Sequence, residues 1–320
     1  MGLERVDVLE NTIRRHKNLL EILLTDWTRT TNKKTHNILW ATDSYVGHKP
    51  KDEIKIEDIT GINTRLIQPR IAKSKEEQKS RTKDKAEVFT PKDIVYEMNQ
   101  LVDWAGENWP ASQENWKDYV SENKLEITCG EAPFIVGRYN AANGKKVLTL
   151  GERVGFLDRK LQTVTKYAES KEEWLNWAIK AFKASYGYEW QGDNLLLARE
   201  NLLYTFIDYW NDKFPNDKIN LDRQVSPDKL KTLLEVANII SWNIFQMDGI
   251  KYVIPMSCRH KVITEELPPM LMMLGEKPTV SKDECPGCKF NDPKLHNGKY
   301  VKIMDWKNSI PIKFSSLINE

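Results

Sequence analysis

Several things the sequence has little of bound what it can be. It holds four cysteines in 320 residues, too few for a secreted disulfide scaffold, so a reducing, cytoplasmic setting is expected. No apolar run approaches the roughly 18 residues that a membrane span needs. The formal net charge is only +2. Whole-chain charge therefore gives no argument for nucleic acid, and any such argument must be local. The opening "MGLERVDVLENTIRRHKNLL" is charged and amphipathic, unlike a leader peptide. Myristoylation at Gly2 fails too, because Val6 stands where a Ser or Thr is required.

What is present reads as a soluble globular chain, 40% hydrophobic and 29% charged. The length allows one large domain or two. Eleven tryptophans are expected mostly in cores. Apolar residues at helical spacing predict a helix over residues 3–30. "NILWATDSYVG" reads as a short buried element, and "DEIKIEDITG" alternates like a strand. The span 65–85 is the most basic, with Arg65, Arg70, Lys73, Lys75, Lys79, Arg81, Lys83 and Lys85. It is either a solvated helix face or a phosphate-contacting arm.

After Thr90 and Pro91, which suit a helix start, strand-like and helix-like segments alternate to about residue 250. "NKLEITCG" and "YGYEW" read as strands. "KEEWLNWAIKAFKASYG" reads as a helix ending near Gly187. "DNLLLARENLLYTFIDYWNDKF" is a long helix with Asp193 as a plausible cap. Ser226 and Pro227 open another helix, and "NIISWNIFQMDG" reads as a strand with its outgoing turn. This alternation predicts an α/β domain with a mostly parallel sheet. Ligands of such sheets bind beyond the carboxyl ends of the strands. Three polar features fall there: the turn Glu126–Ala132 with Gly130, the acid Glu189, and Asp248. Glycine lets backbone approach a ligand closely, and an acid at a strand end can accept from ribose hydroxyls.

Taken together, these segments resemble adenine-specific DNA methyltransferases of the gamma motif order. "AEVFTP..IVYEMNQLVD" resembles their opening motif, "EITCGEAPF" their glycine loop, "YGYEWQGDNLLLARENLL" their ribose-acid segment and "ISWNIFQMDGI" the segment whose acid contacts adenine of the cofactor. The match in order and spacing spans about residues 80–250. The flanks look like small restriction-modification "subunit M" proteins, which are bacterial or phage-encoded. The resemblance implies a Rossmann-like sheet that binds S-adenosylmethionine. It implies cofactor contacts at Phe89, Thr90, Pro91, Glu126, Cys129, Gly130, Glu189 and Asp248. Ile127 and Ala132 depart from the usual proline and final glycine. The expected regions are a helical and basic region at 1–85, the methyltransferase domain at 86–250, and a Cys/His insertion with a terminal strand at 251–320.

The family also carries an "NPPY"-type loop that presents the flipped adenine. No such loop follows Asp248, and "LPPM" lacks both the polar and the aromatic partner. The expectation is a split enzyme. This chain would hold the cofactor, its sheet incomplete, with no catalytic residue of its own. A second subunit would bring the "NPPY" loop and most recognition of double-stranded DNA. The alternative is an inactive methyltransferase-like module that binds DNA or protein. A nuclease reading of Glu53-Ile54-Lys55 is weaker, since such strings arise by chance in charged sequence.

Cys258, Cys285, Cys288 and a histidine make a set that suits structural zinc, with His296 favoured over His260 as the fourth ligand. A reduced loop without metal is the other reading. A redox Cys-x-x-Cys is the lesser one.

Overall fold

The computed structural model describes residues 12–85, 87, 90–264 and 280–318. Helix α1 (Lys17–Leu24) buries Leu19, Leu20, Leu23 and Leu24 and ends short of the expected residue 30, while residues 3–11 of the expected helix lie outside the described residues. The chain turns at its end because Asp26 N–H donates to His36 O at 2.7 Å and Ile38 N–H to Leu24 O at 2.8 Å. The Arg199 guanidinium also donates to the carbonyls of Leu23, at 2.6 Å, and Thr25, at 3.0 Å. The predicted buried element is present: Ile38 to Thr42 runs through the interior, with Trp40 fully enclosed. "DEIKIEDITG" is not a strand. It forms a 3-10 turn at Ile56–Ile59, started by the Asp58 carboxylate accepting from Lys55 N–H at 3.0 Å.

Then follow α2 (Lys75–Lys85), α3 (Lys92–Ala105), α4 (Trp116–Ser121), β1 (Lys124–Glu126), α5 (Phe156–Tyr167), α6 (Lys171–Lys183), β2 (Ser185–Glu189), α7 (Gly192–Lys213), α8 (Pro227–Asn243) and β3 (Ile244–Gln246). The three strands and the helices α3, α6, α7 and α8 fall where the sequence places them, with two boundary differences, while α4 and α5 are helices that the sequence reading did not include. Gly187 does not stop α6 but lies inside β2, where a Cβ would stand 2.9 Å from Ile135 Cδ1. Helix α8 runs through "NIISWN", leaving only three residues for β3. The Asn243 amide marks the change, donating to the carbonyls of Phe182, Lys183 and Ser185 at 2.9–3.1 Å.

The three strands form a parallel sheet in the order β1-β2-β3. One face carries Glu126, Gly187 and Ile244 and meets the larger core, which takes side chains from α1 and α4 to α8. Residues 12–85 share that core through Ile13, Leu19, Ile38, Ile54 and Ile67. The opposite face carries Leu125, Tyr186, Tyr188 and Phe245. Beyond β3 come β4 (Lys261–Thr264) and β5 (Val280–Asp283), an antiparallel pair, then α9 (Pro286–Phe290) and the hairpin of β6 (Lys302–Asp305) and β7 (Ile310–Lys313). Ile303 and Phe314 of the hairpin region pack on Tyr188 and Phe245 in a second apolar cluster. Among the described residues, no helix is long and apolar enough to cross a membrane.

Candidate cofactor cavity and metal centre

The turn after β1 has an unusual backbone. Thr128, Gly130 and Ala132 all take left-handed φ values, of 46°, 54° and 65°. That conformation costs an L-residue other than glycine about 1–2 kcal/mol, so something must hold it. Two acids do. Glu126 accepts from Phe134 N–H at 3.3 Å and Ile135 N–H at 3.0 Å, tying the far end of the turn to the strand that starts it. Glu189, at the end of β2, accepts from Gly130 N–H at 2.9 Å and from Gln191 N–H at 3.0 Å.

The turn lines a cavity of about 670 Å³, within the range of small-molecule sites. Five of the sequence-predicted residues meet there: Thr90, Glu126, Cys129, Gly130 and Glu189. Phe89 lies outside the described residues. Pro91 stands one residue before α3 and does not line the cavity. Asp248 is not brought in either. Its carboxylate accepts from Ile250 and Lys251 N–H, both at 3.1 Å, and pairs with Lys251 Nζ at 3.6 Å, so it stabilises its own turn. Cys129 is buried, and burial pushes its thiol well above the usual range, which rules it out as a ready nucleophile.

Other lining residues escape the sequence reading. Trp190 follows Glu189 directly, and its Nε1–H donates to Ala41 O at 3.0 Å. An aromatic beside a strand-end acid was the available signal. Glu87 pairs through Oε2 with Arg81, while its buried Oε1 has no hydrogen-bond partner. Nothing in the local sequence marks it. It is placed by the basic span, part of which is a wall of this site. Arg81 pairs with Asp193 at 2.8 Å, Lys73 lies 3.4 Å from the same carboxylate, and Tyr45 donates to it at 2.7 Å. Asp193 is thus the anion of a buried network that joins α2 to α7 and does not act as a simple helix cap. Lys83 and Asp84 of α2 reach the cavity itself.

Burial pushes the Glu189 carboxyl up to about 7, against the N–H groups of Gln191 and Gly130. Its oxygens accept from Gly130 and Gln191 N–H, and the Trp190 N–H also lies against the carboxylate. A carboxylate offers about four lone-pair sites, so acceptor capacity remains for a ligand in the cavity.

The second site is the cysteine–histidine cluster. Cys258, Cys285, Cys288 and His296 present one ligand atom each, all within 4.8 Å of one another. His296 Nδ1 lies 3.6, 3.6 and 3.8 Å from the sulfurs of Cys258, Cys285 and Cys288. A tetrahedral ion at ordinary zinc bond lengths sets an S···N edge of about 3.6 Å, so the donor set fits. His260 stands outside the set, with its Nδ1 accepting from Cys285 N–H at 3.4 Å. Asn297 N–H donates to Cys285 Sγ at 3.2 Å, as expected for a sulfur that carries charge. Gly287 is required inside the knuckle, because a Cβ there would stand 2.5 Å from His296 Nδ1.

No protein-family model, no curated protein and no solved structure matches this chain.

Proposed function

We propose that this chain is the S-adenosylmethionine-binding subunit of a DNA adenine-N6 methyltransferase, in a restriction-modification or related defence system. The observation that carries the reading is the Glu189 clamp. An acid at the end of β2 holds the glycine turn after β1 and still has acceptor sites beside a cavity of suitable size. The left-handed Ala132 supports it, since the resembling motif has a glycine at that position.

The cofactor supplies an electrophilic methyl group, and the chain's residues hold it. Glu189 accepts from the ribose hydroxyls. Trp190 gives the adenine an apolar wall. Glu87 Oε1 receives the amino group of the methionyl part, which answers its missing partner. The turn at Thr128–Ala132 takes the rest of that part.

The target adenine has to be presented by other residues. After Asp248 no "NPPY"-type loop occurs, and the described part of 251–318 builds the Cys/His cluster and the hairpin over the sheet. We assign target presentation, and recognition of double-stranded DNA, to residues outside this sequence, which the split-enzyme reading places in a second polypeptide. The metal of the Cys₃His set is zinc in this reading. It is structural, because four protein donors leave no open position.

The test is co-expression with the polypeptide encoded in the neighbouring reading frame. N6-methyladenine is expected in DNA with both proteins and not with this chain alone. Methylation by the purified chain at an ordinary rate contradicts the split. A complex that binds DNA and cofactor without methylating favours the inactive module.

The Glu189 titration gives a second expected result. The ionised carboxylate accepts from the ribose, so cofactor binding expels its proton. Affinity should rise about tenfold from pH 6 to pH 8 and flatten above that. Stability runs the other way for this group. Its raised value makes its contribution complete below the unfolded carboxylate range and lost as pH rises through about 7. Calorimetric titrations across this range check the slope, which Glu189→Gln should abolish.

A further inference from the structure

We propose that the free edge of β1, together with the outward face of α3, receives one apolar β-strand of the second subunit, laid parallel to β1. The inference rests on the two-subunit reading above and adds the surface and the chemistry of what covers it.

The sheet is covered at one edge and open at the other. Beyond β3, the Gln246 side chain exchanges two hydrogen bonds with the Leu39 backbone, both at 2.8 Å. At the opposite edge β1 has no neighbour among the described residues. Leu125 there is 43% exposed and Ile127 64%.

Helix α3 is turned in an unexpected direction. Its buried row is Val95, Asn99 and Asp103, two of them polar. The Asn99 amide donates to Phe134 O at 2.9 Å and Val154 O at 3.0 Å. The Asp103 carboxylate takes the Lys124 ammonium, the Arg159 guanidinium and the Tyr119 hydroxyl. Meanwhile the apolar row Ile94, Met98, Leu101 and Val102 is 40–60% exposed. An amphipathic helix ordinarily buries that row. Here polar bonds fix the helix and leave the row facing outward.

The two exposures flank the same edge. The Asp103–Lys124 pair sets α3 beside β1 on the helical face of the sheet. Leu125 points to the other face, where it and Tyr186 line a hollow of about 500 Å³ bounded by Ile303, Trp306 and Phe314 of the hairpin region. A strand added to β1 would send alternate side chains towards α3 on one face and towards this hollow on the other. Strands covered on both faces are a property of parallel sheets, and they read as continuous apolar runs. That run is what the partner must supply.

A second copy of this chain does not supply it. Its β1 alternates Leu125 with Lys124 and Glu126, which are buried and already bonded at home. Ile94, Met98, Leu101 and Val102 on one side of this edge and Leu125 on the other are exposed apolar side chains of the kind that a partner covers.

The test uses the full chain, alone and co-expressed with the polypeptide of the neighbouring reading frame. Amide exchange should slow by about tenfold or more in residues 92–105 and 124–128 within the complex. Leu101→Glu and Leu125→Glu should each weaken association by about 100-fold, with cofactor affinity of the isolated variants unchanged. Failure to form a complex overturns the proposal. So does a complex without protection of these segments, or a self-dimer that Leu101→Glu dissolves. Protection of both segments in a complex that binds no S-adenosylmethionine would instead leave the surface standing and remove the cofactor reading.

Discussion

Glu189→Ala is expected to weaken S-adenosylmethionine binding by about 100-fold or more, since each charge-assisted hydrogen bond is worth about 1.5–3 kcal/mol. The effect has two sources. The ribose loses its acceptor, and the turn loses the bond that positions Gly130. Glu189→Gln separates them. The amide oxygen can still receive the Gly130 N–H, so the turn stays in place while the charge is gone. A loss of about tenfold is expected. At pH 8 that variant loses the bond from Gln191 N–H but also a carboxylate that burial holds up to about 7, so its stability should stay within about 1 kcal/mol of the parent. Calorimetric titration and thermal melts of the three proteins check both effects. If Glu189→Ala bound the cofactor like the parent, the proposed ribose contact would be wrong.

Removal of the metal should have the second large effect. Chelation, or Cys285→Ser, is expected to take the content from about one zinc per chain to near zero, with loss of structure around the knuckle. The damage should be local. The larger core has no buried member beyond Ile244, whereas the second cluster depends on Val301, Ile303 and Phe314. A separate, lower-temperature unfolding transition should therefore appear while the main one persists. Gly287→Ala should reproduce it, since the added methyl would displace His296. Metal analysis with calorimetric melts checks this. Absence of zinc from protein purified without chelator contradicts it.

The parts of this molecule that the sequence reveals are those set by local chemistry. The Cys-x-x-Cys knuckle carries its spacing openly, and His296 completes it. The strand-end acids Glu126 and Glu189 were legible through the order of three strand ends and the motifs they resemble, since a glycine turn alone is common. What was hidden depended on distant partners. The end of α1 is set by Arg199, a residue 175 positions beyond Leu24, whose burial pushes it down to about 9 against the pull of the Asp26 carboxylate. "NIISWN" has strand composition but continues α8, since tertiary burial overrides weak propensity. Asp248 looks like its neighbours in the motif series, yet its own turn takes its carboxylate. Glu87 and Trp190 join the cavity only through folding. The outward face of α3 was invisible because its apolar pattern is that of a buried helix. Only the bonds of Asn99 and Asp103 reveal which side faces in.

The central claim is that the cavity behind Gly130 and Glu189 binds S-adenosylmethionine. Calorimetric titration of that compound into the purified chain, alone and co-expressed with its neighbour, tests it most directly. Saturable one-to-one binding that strengthens from pH 6 to pH 8, and loses that slope in Glu189→Gln, is the predicted result. No binding in either state, or binding that Glu189→Ala leaves untouched, contradicts it.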